Sequence, residues 1–321
     1  MQLTVDGKTV EAKKGQSLRE LVCGLGLDRE QLSQRPLAAR IAGEVFTLNY
    51  IPLRDKDGEG DRPSMRRAMA ASGGNIRLLR IKDSAGRDVY VRTGQFVVFL
   101  ALRQLWPEAV STMDCTLGSS AFISVTGAKD FSVSRLKARV EQIVAQDIPL
   151  LRHRAKKEEA IARFAAEGQG DKARLLQWRS LEYCSEYSYG DYTDNFYGEM
   201  APSTGYLSVW DILPADGGFL FVYPDELEPD RPAKLSPMPQ FFSVFTEGER
   251  WCRLMNCENV ADLNELTASG KIRELIRVNE ALHEKRFSQV ADMVCSRGAK
   301  AVLLAGPSSS GKTTSAHRLA T

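Results

Sequence analysis

The chain has 321 residues, of which 43% are hydrophobic and 26% charged, so it can bury more than one core, while its net charge of +2 is too small to indicate a nucleic-acid-binding protein. Apolar runs such as residues 96–102 are too short to span a membrane, and the first residues lack the basic and apolar regions of a signal peptide. The six cysteines are scattered without a C-x-x-C pair, so we expect a cytoplasmic protein with reduced thiols and no membrane partner.

The first fifty residues have the pattern of a compact β-grasp unit. Ser17 is placed to cap a helix that ends at Gly26, and Asp6-Gly7 predicts a hairpin turn. Period-two alternation and β-favouring residues predict four strands, at Gln2–Val5, Thr9–Ala12, Leu37–Ile41 and Glu44–Leu48. Residues 55–61 are dense in Asp, Glu and Gly and predict an exposed linker.

A basic stretch follows. It contains two acids, Asp83 and Asp88, against nine cations: Arg62, Arg66, Arg67, Arg77, Arg80, Lys82, Arg87, Arg92 and Arg103. Either an RNA-facing patch or an ordinary solvated surface explains this composition.

The middle of the chain alternates helices and strands. The predicted elements are a helix at Gln95–Leu105, a strand at 121–125, a helix from Ser132 to about Gln146, a basic helix approach at Arg152–Lys157 and paired helices at Glu158–Glu167 and Lys172–Ser180.

Aromatic residues then become frequent, with seven of the nine tyrosines between Tyr183 and Tyr223. An aromatic β core explains them, and base-stacking faces are the alternative. Five prolines at Pro224–Pro239 predict a domain edge. Helices are expected at Phe241–Leu254, at Val260–Ala268 and over a long amphipathic segment from Ile272 to Val294.

The last residues contain a phosphate-binding motif. Ala301–Ala305 predicts a strand buried in a parallel sheet, and Ser315–Ala320 predicts a helix. Between them is a complete G-x-x-x-x-G-K-[ST] pattern with the candidate nucleotide-binding residues Gly306, Pro307, Ser308, Ser309, Ser310, Gly311, Lys312, Thr313 and Thr314. Backbone N–H groups would surround a phosphate, Lys312 would reach the β- and γ-phosphates as the catalytic cation, and the Thr313 hydroxyl would ligate the Mg²⁺ that accompanies ATP. A plain Gly/Ser-rich turn is the alternative.

Several segments together resemble a known family. Residues 1–60 look like a TGS domain, and "LRQLWPEA" with "FYGEMAPSTGY" resembles the editing-type domain of threonyl-tRNA synthetases. With "AGPSSSGKTT", the layout is similar to the long bacterial uridine kinase-like proteins of the phosphoribulokinase/uridine kinase family. The resemblance implies an α+β multidomain fold: a TGS-like β-grasp domain at 1–60, a linker at 61–75, an editing-like domain at 76–228, a helical connector at 229–298, and the first strand, loop and helix of an α/β kinase domain at 299–321.

The resemblance also bears on the editing chemistry. In the synthetases the editing site is built from an H-x-x-x-H and a C-x-x-x-H pair, and the matching positions here are Arg92, Phe96, Phe196 and Met200. None of these side chains ligates zinc or transfers protons at neutral pH. We therefore expect the fold to be kept and the editing chemistry to be lost.

The implied function is an ATP- and Mg²⁺-dependent kinase that phosphorylates the 5′-hydroxyl of a nucleoside, with uridine or a related pyrimidine as substrate. Because no lid or acceptor site follows Thr321, we expect a front part of a longer protein that is inactive by itself as a kinase. A second hypothesis is an RNA-binding or regulatory protein that uses the P-loop as a nucleotide sensor, motivated by the TGS-like start and the basic stretch. A third, a tRNA-editing protein, is disfavoured by the missing histidines and cysteine.

Overall fold

The computed structural model describes residues 2–28, 31–52, 68–236 and 239–320, which form a mixed α+β structure. Two compact units are present, one made of Met1–Ala160 with Leu181–Pro239 and the other of Ile161–Ser180 with Gln240–Thr321. The twelve described strands all belong to the first unit. Within the described ranges, no helix combines the length and the apolar character needed to cross a bilayer.

The first unit begins with a five-stranded sheet. Its strands are β1 (Gln2–Val5), β2 (Lys8–Glu11), β3 (Ala38–Ile41), β4 (Glu44–Thr47) and β5 (Asn75–Leu79), in the order β2-β1-β5-β3-β4. β5 pairs parallel with β1 and antiparallel with β3. The four strands predicted before residue 50 are therefore present, but the central strand comes from residues 75–79, where no strand was predicted. The domain boundaries given above stay predictions.

One helix of this first part follows its sequence signals closely. Helix α1 (Leu18–Gly24) begins after Ser17, whose side chain accepts a hydrogen bond from Glu20 N–H while the Glu20 carboxylate accepts one from Ser17 N–H. This capping box satisfies two backbone donors that the helix leaves open. Leu18, Leu21 and Val22 of α1 are buried in the core.

The longest helix of the first unit, α2 (Ser84–Leu105), is buried along most of its length. It begins at Ser84, eleven residues before the predicted start at Gln95. The earlier turns belong to the helix because Val89 and Tyr90 extend its buried face, although charged residues flank them in the sequence. Its last residue is Leu105, directly before Trp106, as predicted. Helix α3 (Val133–Ala145), capped by Ser132, packs against it through Leu136, Val140 and Ile143.

Two further sheets complete the first unit. One has the order β11-β12-β7-β6, built from β6 (Val110–Thr116), β7 (Ser120–Thr126), β11 (Asp211–Ala215) and β12 (Gly218–Val222). The other has the order β10-β9-β8, built from β8 (Arg152–Lys156), β9 (Tyr183–Tyr189) and β10 (Tyr192–Asn195). The prediction of a basic helix approach at 152–157 is wrong, because Arg152–Lys156 pairs along its whole length with β9.

The aromatic stretch forms core, as the first interpretation held. Tyr187, Tyr206, Phe219 and Phe221 are fully buried. Tyr183 and Tyr197 stay exposed, at 40% and 61%.

The second unit is helical over its described residues. Its helices are the later part of α4 (Lys157–Ala166), α5 (Gly170–Gln177), α6 (Pro239–Leu254), α7 (Val260–Ala268), α8 (Ile272–Ser296) and α9 (Lys312–Ala320). These agree with the predicted helices to within a few residues. Arg174 of α5 joins α7 by ion pairs with Asp262 at 2.8 Å and Glu265 at 3.1 Å.

Candidate functional site

The four positions matched to the synthetase editing site come together in the structure. Arg92 and Phe96 lie one turn apart on α2, while Phe196 and Met200 belong to the segment that follows β10. The Phe96 and Phe196 rings are 6.0 Å apart, and the Arg92 guanidinium donates a hydrogen bond to the Glu199 carbonyl. The four matched positions therefore share one location, whose other residues the sequence match left unassigned.

Arg92 reaches this location because residue 198 is glycine. A Cβ on Gly198 would lie 2.9 Å from the Arg92 Cζ. Gly198 also has a φ of 118°, a backbone conformation that residues with a Cβ rarely adopt. Burial lowers the pKa of the Arg92 guanidinium, opposed by the nearby Tyr187, Asp88 and Glu199. An arginine nevertheless remains charged at neutral pH, because its ordinary pKa lies so far above 7.

Phe96 is an apolar core residue that packs against neighbouring aromatic rings. It is fully buried, and its ring centroid lies 5.4 Å from that of Tyr192 and 6.4 Å from that of Tyr187. Edge and tilted ring contacts of this kind stabilise a core beyond the area they bury. Met200 is also fully buried, so neither position presents a ligand to solvent.

A charged network centred on Glu199 lies beside these residues. The Glu199 carboxylate is 3% exposed and accepts a hydrogen bond from Arg152 Nη1 at 2.6 Å. The Tyr187 hydroxyl lies 3.4 Å from its other oxygen and accepts a hydrogen bond from Met200 N–H at 3.1 Å. Arg152 Nη2 also donates to Ser185 Oγ at 2.5 Å. Sequence reasoning missed Arg152, Tyr187 and Glu199, although Glu199 lies inside the quoted "FYGEMAPSTGY" segment.

This network cannot repeat the chemistry of a histidine–cysteine site. Desolvation, and then the Glu199 carboxylate, raise the pKa of Tyr187 well above its usual range, so its hydroxyl stays neutral. Within the described ranges, no three His, Cys, Asp or Glu side chains are grouped so that they could hold a metal ion. In this cluster Arg152 instead pairs with Glu199, and Arg92 connects α2 to the segment after β10.

The phosphate-binding motif lies in the second unit and is exposed along the loop. Helix α9 begins at Lys312, and Ser309 and Gly311 have φ angles of 62° and 77°. Lys312 Nζ donates hydrogen bonds to the carbonyls of Gly306 at 2.9 Å and Pro307 at 2.6 Å. The start of the predicted loop and Lys312 are therefore in direct contact.

The strand predicted before this loop is absent. Residues 301–307 have no regular secondary structure, and Leu303 is 95% exposed. A strand of a parallel sheet needs a neighbouring strand for its backbone hydrogen bonds, and none of the strands in the described ranges pairs with these residues.

The cations of the predicted basic patch are largely engaged with partners. Arg77 pairs with Asp83, Arg80 with Asp6, and Arg87 with Glu226. Arg62, Arg66 and Arg67 lie outside the described residues. The stretch is therefore not one continuous basic surface over its described part, because it runs through strand β5 and the buried helix α2.

Comparison with known proteins finds threonine–tRNA ligases among the relatives of this chain. The chain is 26% identical over 218 residues to a threonine–tRNA ligase of Symbiobacterium thermophilum, 22% identical over 218 residues to that of Laribacter hongkongensis, and 23% identical over 192 residues to that of a Janthinobacterium species. The first two matches cover 67% of this chain and 30% and 31% of the ligases; the third covers 59% and 27%. No protein-family model matches the chain. The chain is thus homologous at low identity to threonine–tRNA ligases, and it spans less than a third of their length.

These relatives correct the predicted activity. The resemblance to threonyl-tRNA synthetases is confirmed at this level, while the prediction of a uridine kinase-like phosphotransferase with a pyrimidine nucleoside substrate is wrong, since the relatives are named as ligases of threonine and tRNA. A phosphate-binding motif of nine residues is shared by many unrelated activities and is too small to specify one. The RNA-binding hypothesis fits the relatives better than the kinase did.

Proposed function

We propose that this chain is an RNA-binding protein of tRNA-related function, in which the loop Gly306–Thr314 serves as a nucleotide sensor. The observation that carries the proposal is the similarity to threonine–tRNA ligases over two thirds of the chain. The name of those relatives gives tRNA as the molecule on which they act. A shared region of this length is expected to include surfaces that contact RNA.

The predicted domain division forms part of this proposal. We assign a TGS-like β-grasp domain to residues 1–60, an editing-like domain to 76–228 and a helical connector to 229–298. The hairpin pairs β1–β2 and β3–β4 support the first assignment, although the strand β5 that joins them comes from residues 75–79, outside its bounds. The meeting of Arg92, Phe96, Phe196 and Met200 supports the second. In this proposal the editing-like domain binds RNA by shape and charge rather than by hydrolysing an ester.

The sensor role rests on the geometry of Lys312. Its ammonium group now donates to two loop carbonyls, and a bound phosphate would offer it a charged acceptor instead. ATP would then occupy the loop with its phosphates at the start of α9, and Thr313 would hold the accompanying Mg²⁺. Moving the ammonium from the carbonyls to the phosphate would change the shape of the loop, which is what a sensor requires.

Fluorescence anisotropy with the whole chain tests RNA binding. Fluorescein-labelled tRNA is titrated beside a DNA hairpin of equal length, over a salt series from about 50 to 200 mM KCl. We expect a Kd of roughly 1 μM or tighter for the tRNA at the lower salt concentrations. We also expect weaker binding of the DNA, which lacks the 2′-hydroxyl. Equal affinity for the two, or no tRNA binding at the lowest salt, would contradict the proposal.

The sensor part has its own measurement. Saturating ATP with Mg²⁺ should change the tRNA affinity by about fivefold or more, the lower range of ordinary coupling between two sites. An unchanged tRNA affinity at saturating nucleotide would remove the sensor and leave RNA binding in place.

A further inference from the structure

A pair of arginines faces an open cavity on the first sheet. Arg40 of β3 and Arg77 of β5 are direct partners in the antiparallel register. Both therefore point to the same face, with their Cβ atoms roughly 5 Å apart. The cavity beside them is open and has a volume of about 510 Å³, and Thr4, Ser72 and Asn75 also line it.

The arginine pair is unusual for a sheet. Like charges placed directly opposite each other on neighbouring strands destabilise the pairing. The opposite face of these strands is ordinary core, with Ile76 and Leu78 buried on either side of Arg77. Folding therefore does not explain the two cations, whereas an anion placed between them would.

Arg40 provides a second, independent observation. Its side chain is half-buried, and its Nε atom is shielded from solvent without a hydrogen-bond partner among the described residues. A guanidinium N–H buried without an acceptor is unfavourable, and a bound anion would supply that acceptor. Arg77 is 65% exposed and reaches Asp83 at 2.7 Å, so an exposed ion pair of modest strength restrains it.

The acidic residue of the cavity is already occupied. Asp6 Oδ1 accepts a hydrogen bond from Leu78 N–H at 2.8 Å, and Asp6 Oδ2 accepts one from Arg80 at 3.0 Å. Its charge is thus partly balanced by Arg80 rather than by the arginine pair. Gly7 and Gly43 line the same cavity and have no side chain of their own.

We propose that Arg40 and Arg77 form a phosphate-binding site that holds a backbone phosphate of the bound RNA. The inference rests on the proposed RNA-binding function and assigns a contact to it. Two guanidinium groups offer paired N–H donors that match phosphate oxygens, and the open cavity admits a chain that continues past the site. The same chemistry would accept a free phosphate, so the experiment separates the two sources.

The test uses the whole chain with Arg40→Gln, Arg77→Gln and the double variant. Arg103→Gln is the control, because Arg103 is exposed, lies outside the cavity and loses the same charge. Each single variant at the site should weaken tRNA binding by about tenfold, and each lost contact should lower the salt slope by about 0.9. Arg103→Gln should change both quantities much less.

Two more readouts distinguish binding from a structural role. Melting temperatures of the single variants should equal or exceed that of the wild type, by up to about 3 °C, because each removes a like-charge repulsion. In ¹⁵N NMR spectra, the Arg40 Nε–H resonance, assigned by its loss in Arg40→Gln, should move when inorganic phosphate is added.

Each outcome decides a different question. Weakened tRNA binding with intact melting supports the site and its RNA ligand. If wild-type chain binds no tRNA but phosphate still moves the Arg40 resonance, the phosphate site stands and the proposed function fails. If tRNA binds all variants equally and phosphate leaves the resonance unmoved, the site is wrong while RNA binding stands.

Discussion

Arg152 Nη1 donates a hydrogen bond to Glu199 Oε1 at 2.6 Å, and the carboxylate that accepts it is only 3% exposed. The pair joins strand β8 to the segment after β10, where the synthetase-like positions meet. Because the carboxylate is buried, its charge depends on this partner far more than the charge of a surface residue would.

Glu199→Ala should destabilise the first unit strongly. It leaves the Arg152 guanidinium, 18% exposed, without its buried counter-charge, and we expect a loss of about 3–5 kcal/mol. Glu226→Ala is the control, since Glu226 is 64% exposed in its pair with Arg87 and should lose less than about 1 kcal/mol. Urea unfolding followed by circular dichroism measures both. Equal losses of unfolding free energy in the two variants would show that the buried pair stabilises the chain no more than the exposed one. Replacing Arg152 and Glu199 together by Met should recover part of the loss.

Stability should fall at high pH through the buried tyrosines. Desolvation raises the pKa of Tyr187 and Tyr90 above the ordinary value of 10. The unfolded chain then loses these protons first, so the stabilisation is fully present below pH 10 and is lost as the pH rises towards the folded-state pKa values. Each tyrosine should contribute up to about 1.4 kcal/mol per pH unit above that point. Urea midpoints between about pH 8 and 11 should fall less steeply in Tyr187→Phe than in the wild type; parallel curves would show that Tyr187 does not contribute.

Gly94→Ala should destabilise the chain although alanine favours helices. A Cβ at this position of α2 would lie 2.3 Å from Phe221 Cζ and 3.2 Å from Leu207 Cδ1. Overpacking of this kind costs about 1–3 kcal/mol, more than the gain of about 1 kcal/mol in helix propensity. Gly248→Ala on α6 is the matched control, because nothing lies within 4 Å of its added Cβ, and it should leave stability equal or higher. A thermal melt of each variant decides the sign, and a stabilised Gly94→Ala would show that Phe221 can move aside.

Lys312→Ala should weaken ATP binding if the proposed sensor is correct. Loss of a charge-assisted contact to phosphate is expected to lower affinity by about tenfold or more. The melting temperature should change by less than about 2 °C, because Lys312 bonds only to carbonyls of an exposed loop. Isothermal titration with ATP, with and without Mg²⁺, measures the effect. Thr313→Ala should lose affinity only when Mg²⁺ is present, and unchanged ATP binding in Lys312→Ala would exclude this loop as the phosphate site.

The sequence by itself determined the elements that depend on near neighbours. The Asp6-Gly7 turn, the Ser17 capping box, the Ser132 cap and the helix at Val260–Ala268 were all predicted, because turns, caps and helices form within a few residues of chain. The resemblance to threonyl-tRNA synthetases was also readable there, since it lies in segments of continuous sequence.

Tertiary structure decided what depends on distant pairing. Residues 75–79 become the central strand only because β1 and β3 lie on either side, and Arg152–Lys156 becomes a strand only beside β9. The same applies to Ala301–Ala305, whose apolar pattern predicted a strand that no described neighbour completes. The Arg40–Arg77 pair exists only in the register of two strands more than thirty residues apart in sequence. Strand pairing joins segments that are far apart in sequence, so local patterns cannot predict which segments, or which charged side chains, will meet.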